Sequence, residues 1–247
     1  PLPPIEEQRR FAGILDRAEI LSALRGRSLG SVDLLLSRAF TQRFPPSLTP
    51  RLRLGQVVAD LQGGKSLVGD DPDAATRNRV LKISAVTSGH FRPDESKPVP
   101  DEHDPPSAHY VQQGDLLISR ANTVDLVGAA AYVWNTPSNL LLPDKIWRFQ
   151  WLKPDSVDPL FALAMLRDDK VRHEISIRAS GTGGSMKNIS KAKLLDMEVP
   201  WPRFDQQKRF GDAVRATHDL YLKMQAALTE QQRLFAALQQ RAFRGEL

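Results

Sequence analysis

The spacing of apolar side chains divides the chain into two helical ends and a strand-rich middle. Toward the C-terminus, Phe210, Val214, Thr217, Tyr221, Met224, Leu228, Gln231, Phe235, Leu238 and Ala242 recur at alternating intervals of four and three. This is a heptad seam with polar interruptions, and it predicts a long helix packed along a partner. Near the N-terminus, Phe11, Ile14, Ala18, Leu21, Arg25, Ser28, Val32, Leu35 and Ala39 form a weaker seam of the same period. Gly26 and Gly30 lower the helical propensity of its middle. A Pro-x-Pro segment precedes each seam, at Pro1-Leu2-Pro3 and Pro200-Trp201-Pro202, and a helix interior does not accommodate it. Glu6, Glu7 and Asp205 then suit the first helical turns.

The two ends are also copies of each other. Residues 1–12 read PLPPIEEQRRFA and residues 200–211 read PWPRFDQQKRFG. Pro1/Pro200, Pro3/Pro202, Gln8/Gln207, Arg10/Arg209 and Phe11/Phe210 are identical at an offset of 199, and Arg38-Ala39-Phe40 matches Arg241-Ala242-Phe243 at an offset of 203. The difference is about one helical turn, which keeps the same face in register. The simplest arrangement pairs the helices antiparallel, each of about 37 residues spanning about 55 Å. An ordinary helical hairpin on a globular protein is the alternative.

Between them, residues 45–199 alternate strand-like and helical patterns. Runs at 52–60, 79–86, 116–119, 126–134 and 146–151 read as strands. Residues 158–177 read as one helix with Pro159 near its start, followed by a glycine-rich loop at 181–184 and a short helix at 189–195. The expected fold class is α+β: a mixed α/β domain at 45–199, flanked by helical segments 1–44 and 200–247 that form an antiparallel coiled coil.

Charge adds direction to this frame. The sequence has 34 basic and 29 acidic residues, and the middle carries 19 of each, so the excess lies in the two ends. Within the middle the signs separate. Arg77, Arg79, Lys82 and Arg92 fall in 77–92 without an acid, and Arg172, Arg178, Lys187, Lys191 and Lys193 face one Glu174 in 172–193. Asp94, Glu95, Asp101, Glu102 and Asp104 gather in 94–104. Two readings stand: a domain with one nucleic-acid-binding face, or a solvated mixed surface. The absence of cysteine excludes disulfides, thiol nucleophiles and cysteine-based zinc sites and fits a cytoplasmic setting. No stretch reaches the roughly 20 apolar residues of a membrane span. The chain starts at Pro1, which suggests a fragment.

Enzyme-like patterns are incomplete. Gly64-Lys65-Ser66 resembles the end of a phosphate-binding loop, but its first glycine position is Ala59. Asp104-Pro105-Pro106-Ser107 resembles an adenine methyltransferase tetrad in which the stacking aromatic is replaced by Ser107. Pro72-Asp73 with Glu95-Ser96-Lys97 has a nuclease-like order, but Glu95 and Lys97 sit between Pro93 and Pro98. His90, His103, His109, His173 and His218 lack paired ligand spacing. Neither a cofactor nor a metal is expected.

Three longer motifs carry a resemblance. Pro1-Leu2-Pro3-Pro4-Ile5-Glu6-Glu7-Gln8-Arg9-Arg10-Phe11 opens the first helix. Tyr110-Val111-Gln112-Gln113-Gly114-Asp115-Leu116-Leu117-Ile118-Ser119-Arg120 precedes Leu126-Val127-Gly128. Gly181-Thr182-Gly183-Gly184-Ser185-Met186-Lys187-Asn188-Ile189-Ser190 follows. In this order, with the repeat, the chain resembles the specificity subunit of Type I restriction–modification systems over nearly its whole length. That family alternates target recognition domains with long helices; here the first recognition domain is missing.

The resemblance implies a non-catalytic subunit that reads one half of a split double-stranded DNA site and binds methyltransferase and restriction subunits. Two copies dimerising through the long helices would restore both halves. The long helices would space the reading heads by more than the roughly 34 Å of a DNA turn. Residue chemistry singles out Ser119, Arg120 and Asn122 after a strand, and Thr182, Ser185 and Lys187 in the loop, as DNA contacts; Lys65, Arg79 and Arg92 follow. Ordinary turn or solvent roles compete for each, and Asn122 suits its own turn. A self-sufficient DNA methyltransferase or nuclease, and a protein-only coiled-coil adaptor, are the alternative functions.

Overall fold

The computed structural model describes residues 4–67, 76–181 and 186–243. In chain order its helices and strands are α1 (Ile5–Arg43), β1 (Arg51–Arg53), β2 (Val58–Gln62), β3 (Arg79–Leu81), α2 (Ser84–Thr87), β4 (Ser96–Pro98), β5 (Leu116–Ser119) and β6 (Ala121–Asn122). There follow β7 (Ala130–Tyr132), β8 (Leu140–Leu141), β9 (Ile146–Trp151), α3 (Pro159–Arg167), α4 (Asp169–Arg178), β10 (Lys187–Asn188), α5 (Lys191–Leu195), β11 (Glu198–Pro200) and α6 (Phe204–Phe243). They form two compact units. One holds the described residues up to Arg38 and from Asp212 onward; the other is Ala39–Gly211.

The first unit is made of the helical ends. On α6 the anticipated seam is the covered face: Thr217, Tyr221, Met224, Leu228, Gln231, Phe235 and Leu238 are half-buried, and Leu220, Leu222 and Leu234 are exposed. On α1 the expected seam is covered only in part, at Ala18 and Val32. Ile14, Leu21 and Leu35 are 43%, 52% and 62% exposed, whereas Leu15, Ala18, Ser22, Val32 and Leu36 are half-buried. A polar layer accounts for the chosen face. The Gln231 side-chain amide donates to the Ala18 carbonyl at 3.0 Å and to Ser22 Oγ at 3.1 Å. Its oxygen accepts from Arg25 Nη1 at 2.7 Å. Ser22, absent from the apolar pattern, must face α6 to supply that acceptor, because a half-buried amide without partners is destabilising.

The second unit is a mixed α/β domain. A four-stranded antiparallel sheet runs β2-β9-β5-β7. A three-stranded sheet runs β4-β3-β8, with β3 antiparallel to β4 and parallel to β8. Two short antiparallel pairs, β1-β11 and β6-β10, complete it. Leu117, Ala131, Val133, Leu142 and Ile146 form the core of this unit with Ala85 and Val86 of α2. A second apolar centre is aromatic. Phe40, Phe44, Phe161 and Phe210 meet with ring centroids 5.3–5.7 Å apart, and Trp201 stands edge-on to Phe161.

Several expected elements are shorter or divided. The 158–177 helix is two helices. Asp158 caps α3 through the Leu160 and Phe161 N–H groups, and Asp168, at ψ 135°, ends α3 and caps α4 through Lys170 and Val171. An aspartate in extended backbone satisfies the orphan amides of a new helix start, so the chain bends there. The 52–60 run is interrupted by a 3-10 turn at Leu54–Gln56. The 79–86 run ends at Leu81 and continues as α2. The 126–134 run is a strand only at Ala130–Tyr132, because Gly128 adopts φ +77° and turns the chain first.

Candidate nucleic-acid interface

The β6-β10 pair brings two of the anticipated residues together. Asn122 is the cross-strand partner of Lys187, and Ala121 that of Asn188. Asn188 also bridges Ser180, and the Ile189 N–H donates to the Arg120 carbonyl. Ser180, before the glycine-rich loop, is thus tied to Asn188 after it, and Lys187–Asn188 pair with the strand carrying Asn122. Thr182 and Ser185 lie outside the described residues. Asn122 makes two local bonds: its Oδ1 accepts from the Thr123 N–H at 2.9 Å, and its Nδ2 donates to Thr87 Oγ1 at 3.3 Å. This Asx-type contact builds the turn, and the second bond joins the end of α2 to the site. Thr87 had no distinguishing sequence signal.

The remaining residues separate into groups. Arg120 is half-buried, with its guanidinium 5.6 Å from the Trp147 ring centroid and Nε buried without a hydrogen-bond partner. Ser119 is fully buried; its hydroxyl donates to the Ala121 carbonyl at 3.0 Å and braces the backbone from inside. A base edge has no route to a side chain so enclosed, so the contact expected at Ser119 gives way to this internal role. Arg79 donates to Ser96 Oγ and to the Ser96 carbonyl, latching β3 to β4. Arg92 is exposed and pairs with Glu95 at 2.7 Å. Lys65 is exposed after β2. The Gly64 N–H donates to the Pro143 carbonyl, and Ser66 bonds Asp144, so this segment is tied to the strand region near β9.

Folding brings acids beside part of each basic stretch. The β3-β4 pairing sets the 77–92 cations against the 94–104 acids. The backbone N–H of Arg77 donates to Asp101 and that of Lys82 to the Glu95 carbonyl, while the Arg92 side chain forms a local ion pair with Glu95 three residues on. The Ser84 hydroxyl, with Arg92 and Lys82 nearby, holds the Glu95 carboxyl below its usual range. The second basic stretch is similarly occupied. Arg178 pairs with Glu174, Lys193 donates to the Arg178 carbonyl, and Lys191 pairs with Asp60 at 2.9 Å, lowering the Asp60 pKa. Lys187 makes no ion pair among the described residues. Lys187, beside Asn122, is thus a cationic group of this stretch without a carboxylate partner among the described residues. Among the described residues no group of three or more histidine or acidic side chains could hold a metal ion. No helix among them is long and apolar enough to cross a membrane.

Comparison with known proteins gives this arrangement its context. No family model matches the chain. The Type I restriction enzyme EcoEI specificity subunit of Escherichia coli is 29% identical over 152 residues, covering 61% of this chain and 25% of that protein. The EcoKI specificity subunit of E. coli strain K12 is 24% identical over 277 aligned positions, covering all of this chain and 57% of that protein. This chain is related to Type I restriction enzyme specificity subunits. It spans 25% and 57% of the length of these two relatives. Solved specificity-subunit structures share the fold. The HsdS subunit from Thermoanaerobacter tengcongensis matches all of this chain and 60% of its own length, at TM-score 0.55 and 21% identity. The S subunit from M. genitalium matches 96% of this chain and 59% of its own length, at TM-score 0.52 and 11% identity.

Proposed function

We propose that this chain is the sequence-reading, non-catalytic part of a Type I restriction–modification complex in the cytoplasm. It reads one half of a split DNA target through the domain at 45–199 and docks methyltransferase and restriction subunits. The observation that carries this is the match along the whole chain to a named specificity subunit. The exposed Lys65 and the Asn122–Lys187 pair, with Arg120 held against Trp147, supply groups suited to phosphates and base edges. The segments 1–44 and 200–247 serve as an antiparallel coiled-coil spacer. The half-buried α6 seam and the Gln231 polar layer favour that pairing. Two copies joined through these helices complete the split site.

Co-expression with the modification subunit, followed by genome-wide mapping of methylated bases, tests the reading. A reproducible methylated motif is expected, and replacement of 45–199 by the equivalent segment of a relative should change that motif. Methylation independent of this chain, or a motif indifferent to the exchange, refutes it.

A further inference from the structure

The turn that follows β6 is held from outside by one helix. Arg172 and Ser176 lie four residues apart and so share a face of α4. Arg172 Nη2 donates to the Asp125 carbonyl at 2.8 Å, and Ser176 Oγ donates to the Val124 carbonyl at 3.0 Å. Two consecutive carbonyls are thus gripped by two successive turns of a helix. The approach is close. A Cβ added at Gly128 would stand 2.5 Å from Ile175 Cγ2 and 3.1 Å from Arg172 Nη1. From inside, the Leu126 and Val127 N–H groups both donate to the Thr123 carbonyl, and Asn122 accepts from the Thr123 N–H.

This framework leaves three consecutive side chains pointing to solvent: Thr123, Val124 and Asp125 are all exposed, Val124 by 44%. They supply a hydroxyl that donates and accepts, a pair of methyl groups that fits a thymine methyl, and a carboxylate that accepts from a cytosine amino group. The carboxylate disfavours a phosphate contact, so the set suits base edges better than backbone. The turn also adjoins Asn122 and its partner Lys187. Arg172 is costly to keep here. Its side chain is half-buried, Nη1 is buried without a hydrogen-bond partner, and desolvation lowers its pKa.

We propose that Thr123–Asp125 is a specificity-determining turn that reads base edges in the major groove of duplex DNA. Arg172 and Ser176 are its positioning residues. The proposal rests on the DNA-reading function inferred above. A reader of hydrogen-bond patterns has to hold its groups to a fraction of an ångström, and the clip from α4 supplies that constraint without touching DNA.

The test uses the full chain purified with its modification subunit. Affinity is measured for a short duplex carrying the mapped methylation motif and for one with the motif scrambled. Arg172→Gln and Ser176→Ala should each lower the specific-to-scrambled affinity ratio about five- to tenfold, the effect of losing roughly one hydrogen bond. The salt dependence should stay unchanged, because phosphate contacts are untouched. Arg172→Lys should restore part of the ratio. Val124→Ser should alter the base preferred at one motif position while the thermal midpoint stays at the wild-type value. If Arg172→Gln does not fold, Ser176→Ala and Val124→Ser carry the test. A wild-type complex with a clear motif, beside variants of wild-type ratio and motif, overturns the inference alone. A wild-type complex with no sequence preference overturns the functional reading and this inference together.

Discussion

Arg148→Met should destabilise the Ala39–Gly211 unit more than most single changes, because Arg148 hydrogen-bonds four other residues and so joins β9 to β2 and to the 108–115 segment. Its side chain and that of Asp115 are each 11% exposed, and they pair at 3.1 Å. Arg148 Nη1 also donates to the Tyr110 carbonyl, and Nη2 to Gln62 Oε1 at 2.7 Å and to the Ala108 carbonyl. Methionine fills similar space but donates nothing. It leaves Asp115 as a buried anion and removes the donor from three further acceptors, of which Gln62 keeps Gln150 Nε2 at 2.6 Å. Removing one partner of a buried ion pair costs about 3–5 kcal/mol. The four tryptophans, Trp134, Trp147, Trp151 and Trp201, all lie in this unit, so their fluorescence reports its unfolding. A urea titration should show a lower midpoint at an unchanged slope, equivalent to a loss of about 4 kcal/mol. The double variant Arg148→Met with Asp115→Leu should regain much of that loss, because an apolar pair replaces the ionic one without an orphaned charge. A single variant within about 1 kcal/mol of wild type, or a double variant no better than the single, refutes the reasoning.

Three further outcomes follow from the same structure. Burial, opposed by the Gln112 N–H and Arg148, raises the Asp115 pKa above its ordinary 3.8. The folded chain therefore keeps that proton longer than the unfolded chain, so this contribution is complete below 3.8 and lost as pH rises through the raised value. Asp115→Asn should flatten the stability–pH curve across that interval, as followed by denaturation midpoints at a series of pH values. Gly128→Ala should cost about 1–2 kcal/mol for the left-handed backbone and roughly 1–3 kcal/mol for crowding Ile175 and Arg172; unfolding by Trp fluorescence checks it. Gln231→Leu should raise helix stability while loosening the choice of partner and register, since a polar seam residue gives up stability for specificity. Light scattering should then detect species beyond the wild-type mass, and a single unchanged species counts against that role for the polar layer.

Periodicity served the reading where one face alone decides the structure. The α6 seam from Thr217 to Leu238 is the covered face because its apolar stripe has no competing pattern. On α1 the stripe was right at Ala18 and Val32 and off by one at Leu21 and Leu35, where Ser22 and Leu36 are half-buried, Ser22 accepting a hydrogen bond that apolar counting does not register. β5 and β9 were legible as strands from their apolar and aromatic runs. Two-residue strands such as β6 and β10 have no period to find, and their pairing depends on tertiary contact. The candidate site was legible in part for the same reason. Asn122 and Lys187 were chosen for their chemistry, but their cross-strand pairing is set by residues 65 positions apart. Local charge misled at Arg92 and Lys191, whose partners Glu95 and Asp60 arrive through a tight turn and a distant strand.

The pairing of β1 with β11 has a consequence for exchanging the segment between them. Arg51 lies opposite Pro200 and Arg53 opposite Glu198, and the Trp201 N–H extends the contact to the Pro50 carbonyl. Within the Ala39–Gly211 unit, the segment between β1 and β11 thus begins and ends at hydrogen-bonded neighbours, separated by roughly the 4.8 Å spacing of adjacent strands. A host segment that accepts this unit needs only a narrow gap, and its own backbone is not stretched by what is inserted. Replacement of residues 50–200 by a segment with the same end spacing should therefore leave the backbone on either side undisturbed.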